Sequence, residues 1–110
     1  MSILEKYVEV FNLNDAKKFA EMFDKDCIFH DTAPTKVGMD ALYIVGSEAV
    51  EMIFKQNFAA MKMSGKVIKI EGNVMDYDLQ FGDAAMPCQG TLLEEKDGKI
   101  ASYFVKFREQ

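Results

Sequence analysis

Near the start of the chain, apolar side chains return every three or four residues. Leu4, Tyr7, Val8 and Phe11 stand at i, i+3, i+4 and i+7, the spacing that gathers side chains onto one helical face. Ser2 and Glu5 open that run as a capping box, in which hydroxyl and carboxylate satisfy free backbone N–H groups. A helix is therefore predicted from Ser2 onward, with Tyr7 pointing inward. Asn12-Leu13-Asn14-Asp15 breaks the period with turn and cap residues. Phe19, Met22 and Phe23 then define a second amphipathic helix ending near Asp24.

The period becomes two over Cys27-Ile28-Phe29-His30-Asp31, a short strand with Cys27, Phe29 and Asp31 on one side and His30 on the other. Thr32 to Gly46 contains Pro34, Gly38 and Gly46 and keeps no sustained period, so it reads as a long loop with an irregular turn around Ala41 to Ile44. Ser47 caps a third helix, whose apolar positions Val50, Ile53, Phe54, Phe58 and Met61 hold a 3.6 period up to Gly65. From Lys66 onward the pattern is that of strands: Val67 to Glu71, Tyr77 to Phe81, Ala84 to Glu95 and Lys99 to Arg108. The last two are joined at Asp97-Gly98, a pair that tolerates the positive φ of a tight hairpin. One early strand, three helices and a late antiparallel meander imply an α+β domain, with helices packed on one face of a curved sheet.

Length and composition narrow what this domain does. A chain of 110 residues, 49% apolar and 28% charged, suits one packed domain spanning 1–110 and leaves no room for a second. The net charge of -5 is spread along the chain, and no basic run interleaves with aromatics, which argues against a nucleic-acid partner. The longest apolar runs, Ala41 to Val45 and Phe58 to Met61, fall far below the roughly 20 residues needed to span a bilayer. An acid at Glu5, where a signal peptide needs its apolar stretch, points to a cytoplasmic protein. Cys27 and Cys88 occupy apolar strand contexts outside any metal-ligand spacing, so both read as free buried thiols, with no metal and no cofactor called for.

Asp31 is the residue with most to say. It ends an apolar strand, shares a face with Phe29 and precedes the long loop, so its carboxylate belongs at the wall of a pocket. Low dielectric there raises its pKa toward the range useful to a proton-transferring base. The competing reading is that Asp31 caps the next turn through the Thr32 or Ala33 N–H, a common use of Asp after a strand. Tyr7 can bury its ring while offering a phenolic donor to a ligand oxygen, or it is simply a core aromatic. Around them, Phe11, Phe29, Phe54 and Phe58 face inward. Met86, Tyr77, Leu79, Phe81, Cys88, Leu92, Tyr103, Val105 and Phe107 give the sheet an apolar concave face suited to a flat apolar ligand with one or two oxygens. His30 is expected off this face, and Lys106 and Arg108 outside the pocket.

Tyr7-Val8-x-x-x-Asn12-x-x-Asp15, then Phe23-x-x-Asp26 and Phe29-His30-Asp31, resembles the N-terminal signature of ketosteroid isomerases and the related SnoaL-like polyketide cyclases of the nuclear transport factor 2 (NTF2)-like superfamily. The resemblance covers about the first 31 residues without a gap. It implies a cystatin-like fold in which a cone-shaped curved antiparallel sheet wraps around the N-terminal helices and one long helix. In those isomerases the Tyr at this place donates to the dienolate oxygen, and the Asp twenty-four positions later moves the proton; Tyr7 and Asp31 stand at that spacing. A second, protonated Asp sits on their penultimate strand, where alignment on Asp97-Gly98-Lys99 places Gly90, flanked by Gln89 and Thr91. Loss of one such donor typically costs about two to three powers of ten in rate, so steroid isomerisation itself is not implied. Tyr43, in the long loop, either restores a donor or closes the pocket.

Two functions follow from these residues. One is an isomerase, cyclase or lyase without cofactor, with Asp31 as base on a small apolar carbonyl compound and Tyr7 as oxyanion donor. The other is a non-catalytic module of the same fold that binds a small molecule or a protein. A homodimer is also expected. Alternation along the last strand places Ile100, Ser102, Phe104, Lys106 and Arg108 on the outer sheet face, with Phe104 as anchor and Lys106 or Arg108 pairing across a two-fold axis. The resembled family commonly dimerises through this face.

Overall fold

The predicted capping box forms. Ser2 N–H donates to Glu5 Oε1 and Glu5 N–H donates to Ser2 Oγ, both at 3.2 Å, at the start of helix α1 (Ile3–Phe11). Leu4, Tyr7, Val8 and Phe11 are its buried face, as their spacing requires. Asp15 caps α2 (Ala16–Ala20) by accepting from the Lys18 N–H. The computed structural model describes residues 2–109; Met1 and Gln110, the two ends of the expected 1–110 domain, lie outside the described residues.

The second helix stops at Ala20 and not near Asp24, because β1 starts early and runs Phe23–Asp31. Met22 C=O accepts from the Ile100 N–H and Phe23 pairs with Ile100, so tertiary pairing claims residues that helical spacing alone would extend. The expected loop from Thr32 to Gly46 is more ordered than its sequence suggests. It holds a 3-10 turn at Ala33–Val37 and strand β2 (Leu42–Val45), which pairs antiparallel with β1. Four residues are too few to show a period, and β2 exists because it supplies hydrogen bonds to an otherwise open strand edge.

Gly46, with φ 93°, and not Ser47, is the cap residue of α3 (Ser47–Ala60). This helix ends five residues before Gly65, which lies within β3 (Met63–Glu71). The strands β4 (Val74–Phe81), β5 (Ala84–Lys96) and β6 (Lys99–Phe107) complete an open sheet in the order β2-β1-β6-β5-β4-β3. Asp97 (φ 51°) and Gly98 (φ 79°) make the β5–β6 hairpin in the left-handed region expected of them.

Two sequence expectations are corrected here. The sheet is not wholly antiparallel: β1 and β6 run parallel, the chain between them passing through α3 and four strands. Ile100, expected on the outer face, has no exposed surface and belongs to the core. Register shifts between Leu92 and Glu95 on β5 and between Phe23 and Ile28 on β1 break strict alternation there, so both Ile100 and Ala101 turn inward.

The three helices cover one face of the sheet, α1 against β3 and α3 against β1. Between the layers lies an aromatic cluster in which Tyr7 and Tyr103 rings are 4.7 Å apart and Phe19 and Phe54 rings 4.8 Å apart. At the far edge, Asn12 and Asn14 side-chain amides pair with the backbone of Gly65 and Met63 and tie α1 to β3.

Candidate functional site

Strand β1 ends at Asp31, opposite Leu42 of β2 and Val105 of β6, and the chain then bends into the 3-10 turn. The bend uses the carboxylate: Asp31 Oδ1 accepts from the Ala33 N–H at 2.9 Å. The same residue also lines a pocket, so one carboxylate both caps the turn and forms part of the pocket wall. The pocket has a volume of about 250 Å³ and an overwhelmingly apolar lining drawn from α1, α3, the 3-10 turn and the inner faces of β1, β3, β4 and β5. Tyr7, Phe11, Phe29, Phe54, Tyr77, Phe81 and Met86 line it together with Asp31.

No lysine or arginine stands in that lining. Burial pushes the Asp31 carboxyl up to about 6, with the Ala33 N–H pulling in the opposite direction. Burial likewise raises Tyr7 and Tyr77 well above the ordinary phenol range, so both hydroxyls keep their protons and remain donors at neutral pH.

Six sequence-expected residues of the apolar face sit inward but outside the lining, Leu92 among them. Phe58 packs on Phe11 with ring centres 5.5 Å apart. Val105 pairs with Asp31 and Gly90 through the backbone. Cys88 is buried beside Tyr77, its thiol pushed up to about 12 mainly by burial. Phe107 carries the Lys36 ammonium over its ring, 5.5 Å from the centre. Tyr103 is fully buried.

Tyr43 is a correction: it is 61% exposed and on the outer sheet face, its ring 5.1 Å from His30. Its β2 neighbours Leu42 and Ile44 turn inward instead, so it neither closes the pocket nor restores a donor. His30 does lie off the Asp31 face, between Tyr43 and Phe104. Arg108 lies outside the pocket as expected, and its guanidinium is engaged within the chain. It donates to the Tyr77 and Cys88 carbonyls, each at 3.0 Å, and to Asp78 Oδ1 at 2.9 Å.

The pocket lining also holds residues that sequence reasoning missed: Val37 at the end of the 3-10 turn, Met39 just after it, and Met61 and Met63 after α3. Their signal was hidden because segments between elements show no period. Gly90 resolves the question posed by the missing acid. A Cβ built there would overlap the Tyr103 hydroxyl from the neighbouring strand, so that hydroxyl occupies the space a second acid would need.

The architecture matches solved structures across nearly the whole chain. A Kribbella flavida protein carrying a provisional ketosteroid isomerase name superimposes with TM-score 0.74 at 17% identity, over 98% of this chain and 76% of that one. An NTF2-like protein of unknown function from Cytophaga hutchinsonii matches with TM-score 0.73 at 19% identity, over 96% and 87%. This is the NTF2-like, ketosteroid isomerase-like fold. A third similar structure is a hypothetical protein from Catenulispora acidiphila with a ketosteroid isomerase-like fold, in complex with trimethylamine. It matches with TM-score 0.74 at 14% identity, over 96% and 85%. No family model and no curated protein matches the sequence. The NTF2-like scaffold hosts unrelated functions, so function has to be argued from the pocket.

Proposed function

We propose that the pocket binds a small apolar carbonyl compound, on which Asp31 moves a proton while the Tyr7 hydroxyl supports the developing oxyanion. The observation that carries this reading is the convergence of Tyr7 and Asp31 on one apolar pocket free of cationic side chains. A carboxyl pushed up to about 6 is a stronger base than an exposed one and is still largely ionised at neutral pH. Its hydrogen bond to Ala33 uses one oxygen and holds the group in place.

Deuterium uptake from D2O into a small ring ketone such as 3-cyclohexenone tests it, followed by NMR. Wild-type protein should exceed Asp31→Asn by about 10²-fold or more, the usual scale of general-base catalysis. Equal rates for the two proteins would refute catalysis. The second reading, a binding module without chemistry, is favoured by Gly90 at the position where the isomerases carry an acid. It predicts ligand binding without deuterium uptake.

We also propose that a second copy of this chain covers the outer sheet face. Across that face Tyr43, His30 and Phe104 form a row of edge-to-face rings, with ring centres 5.1 and 5.3 Å apart, and Val45 and Leu93 are also exposed. The helices all lie on the other side of the sheet. Phe104 remains the anchor, and Lys106, which makes no ion pair among the described residues, is the cation for a cross-subunit pair, since Arg108 is bonded internally. No helix of the described residues is long and apolar enough to cross a membrane.

A further inference from the structure

We propose that the Tyr7, Tyr103 and Tyr77 hydroxyls form one donor cluster for the ligand's oxygen, with Tyr103 as its positioning residue in the space Gly90 leaves open, and that the ligand is a one- or two-ring carbonyl compound. The inference rests on the pocket reading above and adds to it the missing second donor and the size of the substrate.

Tyr7 and Tyr77 reach the pocket from opposite layers, one from α1 and one from β4. Tyr103 stands behind them on β6 with both hydroxyls as neighbours. Its own hydroxyl is fully buried and makes no hydrogen bond of normal geometry. A buried hydroxyl without a partner is costly, and native structures rarely tolerate one without a use. Backbone geometry admits it only because residue 90 has no Cβ. Tyr103 therefore supplies a proton donor to whichever pocket phenol is polarised by a ligand oxygen, and the chain of phenols spreads the negative charge.

In the reaction, the Asp31 carboxylate takes the proton from the carbon next to the carbonyl. The C–H electron pair becomes a C=C bond, and the carbonyl π pair moves to oxygen. Asp31 then returns the proton to another carbon of the conjugated system, so no co-reactant is required. The Tyr protons stay on their oxygens and shorten their hydrogen bonds to the enolate.

Size follows from volume. A pocket of about 250 Å³ exceeds the roughly 150 Å³ that encloses benzene and falls below the roughly 300 Å³ at which drug-sized sites begin.

Two probes separate the hydroxyl cluster from packing: 2-naphthol, and naphthalene, which has the same rings and no oxygen. Wild type should prefer 2-naphthol in fluorescence titrations. Tyr103→Phe, which removes one buried oxygen atom, should weaken 2-naphthol about tenfold and leave naphthalene unchanged. Gly90→Ala, which forces the Tyr103 hydroxyl aside, should reproduce that loss of preference. Should Gly90→Ala fail to fold, Tyr103→Phe decides alone. Unchanged 2-naphthol binding in Tyr103→Phe overturns the cluster and leaves the pocket reading standing. Equal loss of both probes makes Tyr103 a packing residue and overturns it as well. Binding of neither probe by wild type overturns the pocket reading and the cluster together.

Discussion

Gly90 and Tyr103 compete for one space: the hydroxyl of the tyrosine lies where the first side-chain atom of residue 90 would stand. The two residues are on neighbouring strands and thirteen positions apart. At the position where the resembled isomerases carry an acid, the structure places the Tyr103 hydroxyl. That hydroxyl comes from β6, and Gly90 lies on β5.

That arrangement has a stability consequence. The Tyr103 hydroxyl is buried and unpaired, so Tyr103→Phe should raise stability by about 1 kcal/mol, or about 5 °C in Tm for a domain of this size. A melting experiment by circular dichroism reads it directly. A lower Tm would mean that the hydroxyl is satisfied in solution. Stability gained together with loss of 2-naphthol preference is the pattern of a functional group kept at a cost.

Asp31 should make stability fall with pH. Its folded-state pKa, about 6, lies above the unfolded value, so folding favours the protonated carboxyl. The contribution is complete below about pH 4 and is lost as pH rises through about 6, on the order of 3 kcal/mol in all. Urea midpoints from pH 4 to 8 should decline for wild type and stay flatter for Asp31→Asn, whose amide oxygen can still accept from Ala33. The two proteins should be similar at pH 4, with the variant more stable at pH 7.5. A variant less stable than wild type at pH 7.5 contradicts this account.

Asn12 and Asn14 act as substitutes for a strand partner. Asn12 Oδ1 accepts from Gly65 N–H at 2.6 Å and its Nδ2 donates to Gly65 C=O at 3.1 Å; Asn14 does the same with Met63 at 2.9 and 2.7 Å. Asn12→Ala should cost about 1–2 kcal/mol. Asn14→Ala should cost more, since Asn14 also holds φ 55°, a conformation alanine resists. Hydrogen exchange should show faster opening at the Met63 and Gly65 amides in both variants. Unaltered exchange there would place the anchor of β3 elsewhere.

For the proposed dimer, Phe104→Asp should shift the molecular mass measured by light scattering at micromolar concentration from two chains toward one. A stable interface needs about 800 Å² per partner. A wild-type protein that stays monomeric, or a variant with unchanged mass, removes the outer-face interface.

The sequence by itself determined the elements whose signals are local. The capping box at Ser2 and Glu5, the inward stripe of α1, the period of α3 and the Asp97-Gly98 hairpin each depend on residues within a few positions of one another. The Tyr7 and Asp31 pair was legible because a helical stripe and a strand alternation each point a side chain inward. Tertiary structure decided whatever depends on contacts distant in sequence. Strand β2 exists because β1 offers it an edge, and Ile100 is buried because a bulge cancels the alternation that would expose it. Tyr43 leaves the pocket for the same reason that Ile44 enters the core: pairing with β1 sets which face of a four-residue strand looks inward. The approach of Tyr103 to Gly90 also needed the fold, because no spacing along one strand reports which side chain the neighbouring strand will bring to an empty position.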